Sequence, residues 1–309
     1  MKHIVMYSGG IGSWAAAKRV VAQYGTDDLV LLFTDTLVED RDLYRFLIET
    51  AAEIYGTDRP TDLIAKTAEI PDIISEADVE SRKRLLPRLA AETMRLLPGL
   101  MWIADGRAPW DVFKDVKYIG NSRLAQCSHV LKQEMARKWI EANYGSADCT
   151  LYLGIDWTES HRKKAPIENW APYSVKFPMC DEPLIDKDGM LQALDGVGII
   201  RPRLYGMGFS HNNCSAACVR AGQGHWAKVY EVMPDQFRYQ ERKEQEMREY
   251  LGKDVTVLKR EGPRVNGKRT SVPLTFTQLR ERIERAGEID REDIGGCGCF
   301  VSYDEKETV

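Results

Sequence analysis

The chain has 309 residues, with 43 basic against 47 acidic side chains, a net charge of −4 and a pI near 5.9. This balance, with 43% hydrophobic residues, excludes a fibrous or wholly disordered chain and a whole-molecule electrostatic grip on nucleic acid. No apolar run approaches the roughly 18 residues a membrane span requires, and MKHIVMYSGG lacks the apolar core of a secretory signal. A cytoplasmic protein with no membrane partner is expected. Seven cysteines, at 127, 149, 180, 214, 218, 297 and 299, then point to metal or redox chemistry rather than a disulfide framework.

In chain order, the apolar run His3–Tyr7 predicts a strand that ends at Gly9 and Gly10. Helix spacing follows over Ser13–Ala22, and Leu29–Phe33 predicts a second buried strand. Arg41–Tyr55 predicts a helix with Leu43, Phe46, Leu47 and Ala51 on one face, and Asp62–Ala65 a third strand. Residues 70–117 predict a charge-rich helical insertion over the sheet, 128–143 another helix, and Cys149–Ile155 a further strand. Strands separated by helices imply an α/β fold, a three-layer, Rossmann-like parallel sheet with helices on both faces. After Pro178 the texture changes. The stretch 181–226 is rich in Gly, Pro and Asn, and charged helices are expected at Phe237–Leu251 and Phe276–Ala286. The expected division is an α/β part with the glycine loop, 1–200, and a cysteine-motif and helical part, 201–309.

Ser8-Gly9-Gly10-Ile11-Gly12-Ser13 lies between the first strand and the first helix. Glycines let backbone approach a ligand, and loop N–H groups with a helix N-terminus form an anion site to which Ser8 and Ser13 add hydroxyls. A plain glycine turn is the bland alternative. The loop lacks the lysine of a Walker motif and does not fit the G-x-G-x-x-G pattern.

S-G-G-x-x-S in this place resembles the PP-loop of the adenine nucleotide α-hydrolase superfamily, which includes ATP pyrophosphatases and phosphoadenosine phosphosulfate (PAPS) reductases. Most members that cleave ATP carry Asp before the last Ser, where this chain has Gly12. Asp35-Thr36, followed by Glu39, is similar to the family's strand-two segment near the adenosine; Asp35 as a helix cap is the alternative. Cys127 and Lys132 resemble its C-x-x-x-x-K element, in which cysteine serves a metal site and lysine faces a phosphate or sulfo group. Gly154 to Arg162 is similar to G-x-R-x-x-E-S-x-R, which implies rim roles for Glu159, Ser160 and Arg162, with Asp156 where arginine is common.

Gly208 to Arg220, with Cys214 and Cys218, resembles the cysteine stretch of the iron–sulfur branch of the PAPS reductase-like family, spaced C-x3-C instead of C-x2-C. The resemblance implies a centre held by Cys127, Cys214, Cys218 and one of Cys297 or Cys299, a [4Fe–4S] cluster with zinc as the alternative. Cys149 and Cys180 read as core residues. A basic stretch (Lys259, Arg260, Arg264, Lys268, Arg269) fits an exposed loop better than a nucleic-acid contact.

The resemblance implies an ATP- and Mg²⁺-dependent enzyme that cleaves between the α- and β-phosphates and activates an acceptor for sulfur transfer. A sulfur donor or thiol reductant would be its partner, and a nucleobase in nucleic acid or a small metabolite its acceptor. Reduction of PAPS or a related sulfonucleotide, and a non-catalytic nucleotide-binding module with structural zinc, are the rival expectations.

Overall fold

The computed structural model describes residues 1–265, 268 and 270–296. Its five-stranded parallel sheet has the order β3-β2-β1-β4-β5, with β1 Lys2–Met6, β2 Leu29–Asp35, β3 Leu100–Ala104, β4 Cys149–Tyr152 and β5 Ser174–Lys176. Helices α1 Ile11–Tyr24, α2 Arg41–Tyr55, α3 Thr61–Lys66, α4 Glu76–Leu96 and α5 Pro109–Val116 precede a segment made of α6 Gln126–Ser128, a π-helical turn His129–Glu134 and α7 Met135–Asn143. Then come α8 Lys164–Trp170, α9 Lys187–Gly196, α10 Arg203–Gly206, α11 Gln223–Val232, α12 Pro234–Leu251, the antiparallel pair β6 Leu258–Glu261 and β7 Ser271–Leu274, and α13 Phe276–Glu284.

The three layers follow from strand alternation. Val5, Leu29, Leu31 and Phe33 pack with α1, α2 and α4, whereas Ile4, Met6, Leu32 and Leu151 pack with α7 and Trp170 of α8. The expected α/β architecture is therefore the one observed.

Two expectations are corrected. Residues 62–65 lie in a helix, α3, whose Asp62 and Lys66 complement the helix dipole; the apolar run is too short to compete as a strand. The third strand is Leu100–Ala104, inside the segment expected to be a helical insertion. Pro98-Gly99 breaks the chain after α4, and Tyr55 packs where a Cβ on Gly99 would lie while its hydroxyl donates to the Gly99 carbonyl at 2.7 Å. The strand then pairs in register with β2, Leu31 against Leu100 through Asp35 against Ala104.

A further cluster unites Phe113, Ile119 and Ala125 with Leu204, Trp226, Phe237, Leu274 and Phe276. The chain from 201 onward is moored to the sheet by Arg203. Its guanidinium donates to both oxygens of buried Asp40 at 2.8 Å, and its backbone N–H donates to Asp42. Asp40 is also the N-cap of α2.

Candidate nucleotide cavity and cysteine turn

The glycine loop ends β1 and opens α1 at the carboxyl edge of the sheet, the edge where open α/β sheets place ligands. Here it forms one wall of a cavity of about 390 Å³, lined by Ser8, Gly10, Ile11, Gly12, Ser13, Gly154, Asp156, Glu159, Arg162, Lys187, Tyr205 and residues 210–213. Gly9 adopts a φ of +75° with Leu43 only 2.7 Å from where its Cβ would be. Gly12 meets the Gly154 carbonyl at 2.6 Å from its ideal Cβ position, so no side chain fits at 12 without moving backbone. Gly10 has room: its nearest neighbours are the Ser8 and Tyr205 hydroxyls at 3.5 and 3.7 Å.

The loop is held from the distant chain. Ile11 N–H donates to the Tyr205 hydroxyl at 3.1 Å, and Asn212 Nδ2 donates to the Gly9 carbonyl at 2.9 Å. Ser13 Oγ returns to the Gly10 carbonyl at 2.8 Å. Two cations line the cavity. Arg162 is ion-paired with Glu159, and Lys187 donates to the Ser210 carbonyl at 2.6 Å while lying 4.4 Å over the Tyr205 ring. Burial lowers the Lys187 pKa. His211 is pushed down to about 4, first by burial and then by Lys187, Arg162 and His225, so it is a neutral imidazole at physiological pH. Asp156 caps the turn Trp157–Lys163, accepting from Thr158 N–H at 2.8 Å and the Thr158 hydroxyl at 2.6 Å. That local role is what an acid achieves at this position.

The strand-two segment is placed differently from its expected ligand contact. Asp35 is fully buried and accepts from Leu37 N–H, the Tyr44 hydroxyl and Trp102 Nε1, and burial raises its pKa to about 6. With three donors satisfied inside the protein, it is a core acceptor and neither lines the cavity nor caps α2. Thr36 is buried and donates to Glu39 at 3.0 Å. Lys132, also buried, pairs with Glu39 at 2.9 Å and lies outside the cavity lining. Ser160 is exposed and outside it too.

Glu39 additionally accepts the backbone N–H of Cys214. One buried carboxylate thus ties the end of β2, the π-helical turn that carries Lys132, and the cysteine turn. Cys214, Ser215 and Ala216 all have positive φ, 53°, 48° and 61°. Each costs about 1–2 kcal/mol for a residue other than glycine. Partners hold the turn in place: Gln236 Nε2 donates to the Ser215 carbonyl, and the His225 imidazole bonds the Ala216 carbonyl at 2.6 Å. Strain of this kind, fixed by its surroundings, clusters at functional sites.

Cys127, Cys214 and Cys218 line one small cavity with Trp110, Phe113 and Tyr239. The neighbouring Cys218 thiol and burial push the Cys214 thiol well above the ordinary thiol range. Among the described residues no three His, Cys, Asp or Glu side chains stand as a metal-holding group; Cys297 and Cys299 lie outside the described residues. A further small cavity shares His211 and Asn213 with the glycine-loop cavity and Cys218 with the cysteine cavity. Cys149 is buried in the core and Cys180 packs beside it.

Lys187, Tyr205 and Asn212 are the residues that sequence reasoning passed over. None belongs to a motif of its own, although Asn212 stands two positions before Cys214 in a segment singled out for its cysteines. Comparison of the chain with protein-family models, curated proteins and solved structures finds no match.

Proposed function

We propose that the chain is an adenine-nucleotide-dependent enzyme of sulfur chemistry that cleaves ATP between the α- and β-phosphates and activates an acceptor for sulfur transfer. The observation that carries this reading is the abutment of two sites: a glycine-loop cavity at the sheet edge and a strained cysteine turn share the wall between His211 and Cys218. The loop N–H groups and the α1 N-terminus favour an anionic group, and Arg162 and Lys187 add two cationic contacts. Together with nucleotide-bound Mg²⁺, these donors would stabilise charge on the leaving pyrophosphate. Neutral His211 can donate to an oxyanion without itself being charged.

Lys132 takes a role other than phosphate contact. Paired with Glu39, it fixes the carboxylate that holds the Cys214 N–H and so positions the cysteine turn. Cys127, Cys214 and Cys218 line one cavity and would be the thiolates of a metal or iron–sulfur centre, a cation there taking the place of the proton that the neighbouring Cys218 thiol and burial hold on Cys214. When bound, such a centre would supply sulfur or electrons at the acceptor's side of the cavity.

The test is direct. Incubation with ATP should release pyrophosphate, whereas sulfite released from PAPS with thioredoxin would replace the ATP reading by a reductase. Gly10→Val, at a position with room for a side chain, should leave the fold intact and lower nucleotide affinity at least about a hundredfold by blocking the loop. Unchanged affinity in the folded variant would remove the loop from the site.

A further inference from the structure

The glycine-loop cavity has two cations in its wall, and the fold treats them differently. Arg162 is ion-paired with Glu159, whereas Lys187 has no carboxylate within ion-pair distance among the described residues. We propose that Lys187 is the charge that reads the nucleotide's phosphates, and that Tyr205 is its positioning residue, holding the ammonium at a set place beside the glycine loop. The inference rests on the reading of the cavity as a nucleotide site.

Lys187 is partly buried and opens α9, the end of a helix at which the dipole disfavours a cation. The preceding Asp186 spends its carboxylate on the Gly189 N–H. The ammonium donates to the Ser210 carbonyl at 2.6 Å, and its charge lies 4.4 Å over the Tyr205 ring. A lysine held in this way has already given up much of the rotamer freedom that binding would otherwise cost. A partly buried cation without a partner acid, in one wall with a glycine loop, is completed by an anion.

Tyr205 meets the loop with its other end. α1 has no side-chain cap at Gly10, and the Tyr205 hydroxyl accepts the Ile11 N–H at 3.1 Å in its place. The Ser13 and Trp14 N–H groups turn back to the Gly10 carbonyl at 3.1 and 3.3 Å. With these donors engaged, a fixed cation has the more to supply to the phosphates. Tyr205 is itself anchored: its ring packs on the core around α1 and α2, and two residues earlier Arg203 grips both oxygens of Asp40. The phenol therefore sets the distance between the cation and the loop.

Calorimetric titration of the full chain with Mg²⁺ and the α,β-methylene analogue of ATP tests this. Lys187→Met should bind the analogue about tenfold more weakly than the wild type. Tyr205→Phe keeps the ring, and Tyr205→Leu should bind about tenfold more weakly than that variant. In a Lys187→Met background the two should bind alike, because the ring acts through the ammonium. Tyr205→Met stands in for the leucine variant should the latter lose its circular dichroism. Wild-type affinity in Lys187→Met overturns the proposal. So does equal binding by the two Tyr205 variants with Lys187 present, or a difference between them that persists without it, which would give Tyr205 a purely structural role. Failure of the wild type to bind the analogue is a different result, and it removes the nucleotide reading itself.

Discussion

At the scale of single residues, the glycine loop contains two glycines with opposite reasons to be there. Under the proposed nucleotide reading Gly10 is a glycine for the ligand's sake, since the fold leaves room for a Cβ there. Gly12 is a glycine for the fold's sake. It and Gly154 approach so closely that the Cβ of either would lie 2.5–2.6 Å from the other's backbone, which brings α1 against the end of β4. The aspartate that the resemblance would lead one to expect at this position has no space in this chain. Gly12→Asp should therefore destabilise the protein by about 2 kcal/mol or more, seen as a lower urea midpoint, and should not raise activity. An equally stable Gly12→Asp variant would show that the two backbones separate at little cost.

At the scale of elements, the C-terminal part is joined around a buried acid. Glu244 of α12 accepts from Val257 N–H at 2.9 Å, just before β6, and from Phe276 N–H at 2.7 Å, which opens α13. Burial raises its pKa from 4.5 to about 7, opposed by those two backbone donors. The folded state thus binds this proton more tightly than the unfolded chain. Its contribution favours folding most below pH 4.5 and is lost as the pH rises through about 7. Glu244→Gln has no such titration. The stability of the wild type relative to this variant should fall by on the order of 3 kcal/mol between pH about 4 and about 8. Parallel melting curves across that range check it, and a constant gap would mean that the carboxyl titrates alike in the folded and the unfolded chain.

At the scale of the whole molecule, the cysteine turn belongs to the aromatic cluster and the glycine loop to the sheet. Phe276 is fully buried, with ring centroids 4.4 Å from Trp226 and 5.6 Å from Phe237, and Ala216, Cys127 and Cys218 pack on the same cluster. Phe276→Ala should cost about 3–5 kcal/mol. Hydrogen exchange should show the loss first in 204–279, with β1 and β2 still protected, because neither strand contributes to that cluster. Loosening of Tyr205 and Asn212 should weaken the proposed nucleotide binding as well. Uniform loss of protection would mean that both cores unfold as one unit.

Local pattern was enough for the α/β class, for β1, β2 and β4, for α2 at its full extent and for the glycine loop at the end of β1, since each depends on periodicity or on glycine within one short segment. The same means missed β3, whose five residues are embedded among charged helices and become a strand only by pairing with β2, and the three-residue β5, which pairs with β4. Motif spacing brought Cys127, Cys214 and Cys218 to notice, and the structure sets them around one cavity. It could not foresee that Asp35 and Lys132 would turn away from the nucleotide-sized cavity, or that Lys187, Tyr205 and Asn212 would line it. Those outcomes depend on which buried partners, Trp102, Glu39 and Gly9 among them, lie within hydrogen-bond reach. Contacts between residues as many as 203 positions apart are made only when the chain has closed on itself.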